Sequence, residues 1–259
     1  MIQIHPTAII HEGAKIGEGT IIEPYAIIGP EVTIGRENRV GAHAVIDGKT
    51  TIGDNNVIYP FVSIGLPPQD LTYKGEPTKV VIGNRNVIRE GVTIHRGTAR
   101  GTGITQIGDD NYLMAYSHAA HDCLIGNHVI MANCASLAGH VMVDDYAVLG
   151  GLTGVHQFVR IGKYAFIGGV SGISMDVPPF MIAAGDRAKL YGPNIVGLKR
   201  AGFPPETILA IKRAYKILFR SGLTLKAAIQ RIQSEGIMCK EVEDIIAFLD
   251  APSKRGITR

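Results

Sequence analysis

His118, His121 and Asp122 lie within five residues of one another, in Ala115-Tyr116-Ser117-His118-Ala119-Ala120-His121-Asp122-Cys123. An imidazole beside a carboxylate is what general-base chemistry needs, because the carboxylate fixes the tautomer and stabilises the imidazolium that forms. A step of eighteen residues leads from His121 to Gly139 and Gln157, from Asp122 to His140, and from Ala120 through Ala138 to His156. If eighteen residues make one coil of a stacked structure, these polar groups meet on one patch. Gly139, with no side chain, would then leave its N–H open toward a ligand held by His121, as an oxyanion hole requires. Base and oxyanion donor together serve acyl transfer to a hydroxyl.

The step of eighteen follows from a repeat of six. Counting from Ile4 reaches Ile10, Ile16, Ile22, Ile28, Ile34, Val40, Ile46, Ile52, Ile58 and Ile64 without a polar interruption. A second run holds Ile82, Ile88 and Ile94, and a third goes from Ile107 through Leu113, Ala119, Ile125 and Met131 to Ile173. A hexapeptide period denotes a parallel β-helix, in which each unit is one short strand and one corner and three units close a triangular coil. No coil can bury its inward aliphatics alone, so coils stack and share a core. The expected fold is an all-β left-handed parallel β-helix followed by a small α-helical domain. Gly17, Gly29, Gly35, Gly53, Gly108, Gly126 and Gly162, with Asn56 and Asn127, are expected at corners of unusual φ.

The repeat breaks twice. Asp70 and Glu76 fall on core positions, so Leu66 to Lys79 reads as an extruded loop. The thirteen residues from Ile94 to Ile107 place a second, Gly-rich loop over Arg96 to Gln106. Loops on a rigid scaffold carry function. Asp176-Val177-Pro178-Pro179 is expected to end the strands. Helical spacing follows: Ile208, Leu209, Ile211, Tyr215, Leu218 and Phe219 after Pro205, closed by Gly222; Leu225, Ala228, Ile229 and Ile232 after Thr224, closed by Gly236; then Val242, Ile245, Ile246 and Leu249. The expected division is a β-helix over 1–190 and a helical domain over 191–259. Flat faces and open ends of such a prism invite self-association, a trimer with parallel axes being the closed arrangement.

Composition narrows the function. A formal charge of +3 with no Lys/Arg run excludes a nucleic-acid binder. Cys123, Cys134 and Cys239 lack ligand or disulfide spacing, which points to a reducing compartment and away from a disulfide framework or a structural zinc site. No leader pattern and no run of apolar residues long enough to span a bilayer is present, so the expected place is the cytoplasm without membrane insertion. Two other readings compete with acyl transfer. Histidines on adjacent coils could ligate zinc, as in hydratases of the carbonic anhydrase type on this fold, and regularity alone would suit a structural repeat protein.

The segments QDLTYKGEPT, IREGVTIHRGT, HAAHDCLIGN, LAGHV, VHQF, DVPPF and NIVGLKRAGF, in this order along the whole chain, resemble the UDP-N-acetylglucosamine O-acyltransferases that begin lipid A synthesis. The resemblance implies a cytoplasmic homotrimer with its site between subunits. It implies transfer of a (3R)-hydroxyacyl chain from acyl carrier protein to the 3-hydroxyl of UDP-N-acetylglucosamine, with the 3-amino sugar as alternative acceptor, and no cofactor. On that pattern His121 is the base, Asp122 orients it and Gly139 N–H holds the oxyanion. Gln69, Asp70, His118 and His140 would contact sugar or acyl chain, His95, His156 and Gln157 would line the cleft, Gly169 would border the acyl slot, and Asn194 and Arg200 would bind nucleotide. Three positions depart from the pattern: Thr72 in place of a lysine, Val196 in place of an acid and Arg187 in place of a histidine. The related N-acyltransferase, which acts later on the same sugar nucleotide, carries an N-terminal domain not expected here. Acyl carrier protein is acidic, so Lys199, Arg200, Lys212, Arg213, Lys216 and Arg220 form the expected docking surface.

Overall fold

In a computed structural model describing residues 1–259, two-residue strands alternate with tight corners and stack into three flat walls. The first wall runs from Gln3–Ile4 to Phe166–Ile167 and is extended by Met181–Ala184 and Lys189–Pro193. The second runs from Ile9–Ile10 to Gly172–Ile173, and the third from Lys15–Ile16 to Arg160–Ile161. Pairing is parallel, with Gln3 opposite Ile21, Ile9 opposite Ile27 and Lys15 opposite Thr33. The hexapeptide repeat and these three parallel walls make a left-handed β-helix.

The second residue of each strand points inward, and these residues form one continuous core from Ile22 to Ile173. Ile22, Ile28, Ile34 and Ile46 are almost inaccessible, whereas Ile4 is 46% exposed because no coil lies beneath it. Apolar contact between coils, not the repeat itself, buries the aliphatic.

The corners differ from expectation. None of the seven glycines singled out has positive φ, nor do Asn56 and Asn127; the left-handed conformation falls on the second corner residue, as in Tyr25 (φ 60), Asp122 (60), His140 (61) and Tyr164 (55). The glycines serve closeness instead. A Cβ on Gly35 would sit 2.6 Å from the Gly53 oxygen, and one on Gly108 2.6 Å from the Gly126 oxygen. Each left-handed L-residue costs roughly 1–2 kcal/mol, which stacking of successive corner side chains offsets. Tyr146 and Tyr164 lie parallel with centroids 4.6 Å apart, and His43 stacks between Tyr25 and Phe61.

Both extruded loops leave from the corner after the second wall. Opposite residues Val57 and Val87 are thirty apart, twelve more than one coil, and Val87 and Tyr112 are twenty-five apart, seven more. The loops are slightly shorter than expected. Leu66 and Lys79 belong to strands Ser63–Leu66 and Lys79–Ile82, and Ile104, Thr105 and Gln106 belong to strand Ile104–Ile107.

Pro178 and Pro179 do not end the walls. Val177 bridges Ile161, and Met181–Ala184 pairs in parallel with Phe166–Ile167. A proline at a corner, as at Pro24 and Pro60, costs no ladder bond because the donor it lacks is not used there. Lys189–Pro193, which crosses position 190, pairs antiparallel with Met181–Ala184. A short helix α1 (Ile195–Arg200), not expected, follows, and then α2 (Pro205–Arg220), α3 (Leu225–Ser234) and α4 (Lys240–Asp250). Thr224 caps α3 through Ala227 N–H, and Gly222 and Gly236 take φ of 74° and 62° just past helix ends. Phe180, Met181 and Leu190 share a core with Leu198, Ile208, Ile211, Tyr215 and Ile245, so the helices pack on the end of the β-helix. Residues 251–259 return to the prism, where Asp176 N–H donates to Gly256 O (2.8 Å) and Thr258 N–H to Asp176 O (2.9 Å).

Candidate active site

His118 is the outward residue of strand His118–Ala119, with Ala119 in the core, and the corner that follows places His121 and Asp122. Asp122 is buried and its carboxylate is wrapped by the second loop. It accepts from Thr98 N–H (3.1 Å) and Oγ1 (2.7 Å), Thr102 Oγ1 (3.2 Å) and Gly103 N–H (3.1 Å). Its own N–H donates to Thr105 Oγ1 at 2.9 Å. Burial acts to raise its pKa, but the hydrogen bonds from His121 and Thr98 outweigh burial and hold the carboxyl well below the usual range. Asp122 is thus a fixed anion. His121 Nδ1 lies 2.8 Å from Asp122 Oδ2, which selects the neutral tautomer that donates from Nδ1–H and carries its lone pair on Nε2.

Gly139 sits against this ring. A Cβ there would fall 2.6 Å from His121 Nε2, so any other residue would displace the imidazole. The Gly139 N–H donates to no protein acceptor. His140 meets His121 edge to face at 5.1 Å, with Nε2 3.9 Å from Asp122 Oδ2, and Phe158 stacks on His140 at 4.6 Å. Burial pushes the His140 and His118 pKa values down, which favours neutral rings. Thr93 Oγ1 is 2.7 Å from His118 Nδ1 and fixes that ring.

Two clefts join at His121 and Gln69. One, of about 630 Å³, runs along the second wall over Leu137, Gly154, Val155, Gly172 and Ile173, past His118 and His156, toward Arg187. Its floor is apolar and glycine-rich, fit for an extended alkyl chain. The other, of about 730 Å³, lies across the corner, where His140, Gln157, Phe158 and Lys254 face Asp70 and Arg100 of the two loops. His121 stands at the seam between an apolar and a polar space.

Gln69, Asp70, His118, His121, Gly139, His140, His156 and Gln157 all line these clefts. His95 does not: it is buried behind His118, centroids 5.1 Å apart, with Nδ1 unpartnered and its pKa pushed down to about 4 mainly by burial. Gly169, Asn194 and Arg200 border neither cleft. Gly169 lies at the corner after the first wall, a Cβ on it 3.3 Å from Gly151 O, and the glycines that border the apolar cleft are instead Gly154 and Gly172. Asn194 caps α1, accepting from Gly197 N–H (3.1 Å) and donating to Tyr164 O (3.0 Å), and Arg200 is exposed at the end of that helix. On α2, Arg213 pairs with Glu235, and Arg220 donates to Tyr215 Oη and Leu190 O, so Lys212 and Lys216 are its free cations. Sequence reasoning missed Thr98, Thr102, Gly103, Phe158 and Lys254; only the position of the second loop hinted at the first three.

His121, Asp122 and His140 offer ligand atoms within 4.8 Å of one another, enough to consider a metal. The Asp122 oxygens, however, are already engaged by threonine and backbone donors, and an ion would have to displace His121 from Oδ2. The geometry fits a hydrogen-bonded base better than a ligand set.

Residues 176–258 match the model described as UDP N-acetylglucosamine O-acyltransferase, domain 2, and residues 13–48 and 104–139 match bacterial transferase hexapeptide repeats. The chain is 58% identical, over all 259 residues of both proteins, to the acyl-[acyl-carrier-protein]–UDP-N-acetylglucosamine O-acyltransferase of Thermodesulfovibrio yellowstonii. It is similar to the UDP-N-acetylglucosamine acyltransferase structure from Francisella novicida (43% identity, 99% and 94% of the two chains, TM-score 0.94). It is likewise similar to that from Moraxella catarrhalis RH4 (43%, 99% of both chains, TM-score 0.95). Full-length likeness at this level, with the hexapeptide walls and the domain after them both matched, means that the chain belongs to the UDP-N-acetylglucosamine O-acyltransferase family.

Proposed function

We propose that this enzyme moves a (3R)-hydroxyacyl group from acyl carrier protein to the 3-hydroxyl of UDP-N-acetylglucosamine, the opening step of lipid A synthesis, with His121 as general base. The observation that carries the reading is the 2.8 Å His121–Asp122 bond at the seam of the two clefts. The acyl chain lies in the apolar cleft and the sugar nucleotide in the polar one. His121 Nε2 takes the hydroxyl proton as the oxygen attacks the thioester carbonyl. Gly139 N–H bonds the tetrahedral oxyanion, and as that intermediate collapses the C–S bond breaks and the imidazolium returns its proton to the leaving thiolate.

Gln69, Asp70, His118, His140, His156 and Gln157 are its substrate contacts. Asn194 and Arg200, which lie outside these clefts, would act on a neighbouring subunit's substrate in a homotrimer. Tyr25, Phe61, Tyr116, Leu152 and Val170 expose an apolar stripe along the corner after the first wall, which supports such packing. No helix is long and apolar enough to cross a membrane, consistent with the cytoplasmic location we assign.

The test is acyl transfer by wild type and His121→Ala, with UDP-N-acetylglucosamine and its 3-amino analogue, on a panel of 3-hydroxyacyl carrier proteins. Mass spectrometry should find an acylated sugar nucleotide from wild type and almost none from the variant. Equal product from both would sink the assignment of the base, and light scattering of the same preparation reads the trimer.

A further inference from the structure

Residues 251–259 do more than close the end of the prism. They are anchored at several points: Gly256 and Thr258 bracket Asp176, Arg255 Nε donates to Ser174 O (3.2 Å), and Thr258 Oγ1 to Met175 O (3.1 Å). Asp176 is itself held by Arg160 through N–H (2.9 Å) and Nε (2.7 Å). Thr258 is buried, yet Lys254, four residues earlier, is exposed, with Nζ 4.3 Å from the Phe158 ring centroid, in the wall of the polar cleft. The anchors fix the place of a cation that the β-helix does not itself supply.

Charge in this cleft is lopsided. Lys254 and Arg100 form no ion pair, while the half-buried carboxylate, Asp70, is turned on its own loop by bonds from Thr72 N–H and Oγ1, both 2.8 Å. The other acid nearby, Asp122, is buried beneath His121. From His121 the path to Lys254 runs through His140 and Phe158 in steps of 5.1, 4.6 and 4.3 Å. A sugar whose hydroxyl meets His121 Nε2 and whose ring lies along this stack directs its anomeric phosphate toward Lys254.

We propose that Lys254, resting on Phe158, binds the diphosphate of the sugar nucleotide and so positions the acceptor for His121, with Arg100 on the opposite loop as its companion. This rests on the acceptor assigned above. An ammonium on an aromatic face keeps its donors free on the side away from the ring, which suits a phosphoryl oxygen.

The experiment is steady-state kinetics and calorimetric binding of UDP alone, on wild type, Lys254→Met and Lys254→Arg. Methionine keeps an apolar stem over Phe158 without the charge, so a merely structural role would leave it unaffected. The expected result for Lys254→Met is a KM for UDP-N-acetylglucosamine and a Kd for UDP each raised about tenfold, the scale of one charge-assisted hydrogen bond. Its kcat and its KM for the acyl carrier protein should stay within about twofold of wild type, and Lys254→Arg should recover most of the loss. Unchanged UDP affinity and KM in Lys254→Met, or a rise confined to the acyl carrier protein, would overturn the proposal. Wild type that binds UDP but acylates nothing would refute the reaction assigned above, while the affinity series still decides on Lys254.

Discussion

The corner that carries Asp54, Asn84, Asp109, Asn127 and Asp145 and the corner that carries His121, Gly139 and Gln157 share one backbone, repeated coil after coil. In the former, each first-residue N–H is sealed by the next coil. Asp54 N–H donates to Asn84 Oδ1, Asn84 N–H to Asp109 Oδ1, and Asp109 N–H to Asn127 Oδ1, all at 2.8 Å, and Asn127 N–H reaches Asp145 Oδ1 at 2.6 Å. In the latter, the N–H groups of His121, Gly139 and Gln157 meet no such partner, and the three residues line the clefts. One turn geometry therefore yields a strut where side chains close the ladder and a binding surface where they leave it open.

If that contrast is right, damage at the two corners should separate activity from stability. Asp122→Asn keeps a residue that tolerates positive φ but removes the anion from His121. Turnover should drop about a thousandfold with an unchanged circular dichroism spectrum, and a modest loss would mean that the base needs no carboxylate. Acid should act on stability through the open side. His95, buried with a pKa of about 4 against an unfolded value near 6.5, binds fewer protons folded than unfolded. Its contribution is whole above pH 6.5 and is lost as pH falls toward 4, up to about 3 kcal/mol. Denaturant titrations at pH 7 and 4.5 should show a smaller difference in His95→Gln than in wild type, and an equal difference would remove His95 from the account.

Gly139→Ala puts a methyl group on the His121 ring. It should reduce kcat about a hundredfold while melting within a few degrees of wild type. Asn127→Ala, in the sealed corner, should do the reverse: a loss of about 1–2 kcal/mol in chemical denaturation with kcat unchanged. Should Asn127→Ala cost activity instead, the two corners are not independent.

Much of this was legible in the sequence, and the reason is the repeat. A fixed step of eighteen turns positions into neighbours, so His121, Gly139, His140, His156 and Gln157 could be gathered before any coordinates. What the step could not reach lay off the repeat. His95 sits where the second loop departs, and its burial behind His118 depends on how that loop folds back. Thr98, Thr102 and Gly103 bind Asp122 from within the loop, and Lys254 arrives from a segment after the helices. Asn194 and Arg200 are grouped with the site by resemblance; in the structure Asn194 is occupied in capping α1. The glycines misled because a residue free to adopt positive φ is equally one that permits close stacking, and the close approach of coils uses the second property.

The two insertions leave the walls in register, since Val57 still faces Val87 and Val87 still faces Tyr112. The length of that corner is thus a free variable in inheritance. Residues can be gained or lost there without shifting a single inward aliphatic, so a lineage can redress the mouth of its clefts while the rod beneath is passed on unaltered.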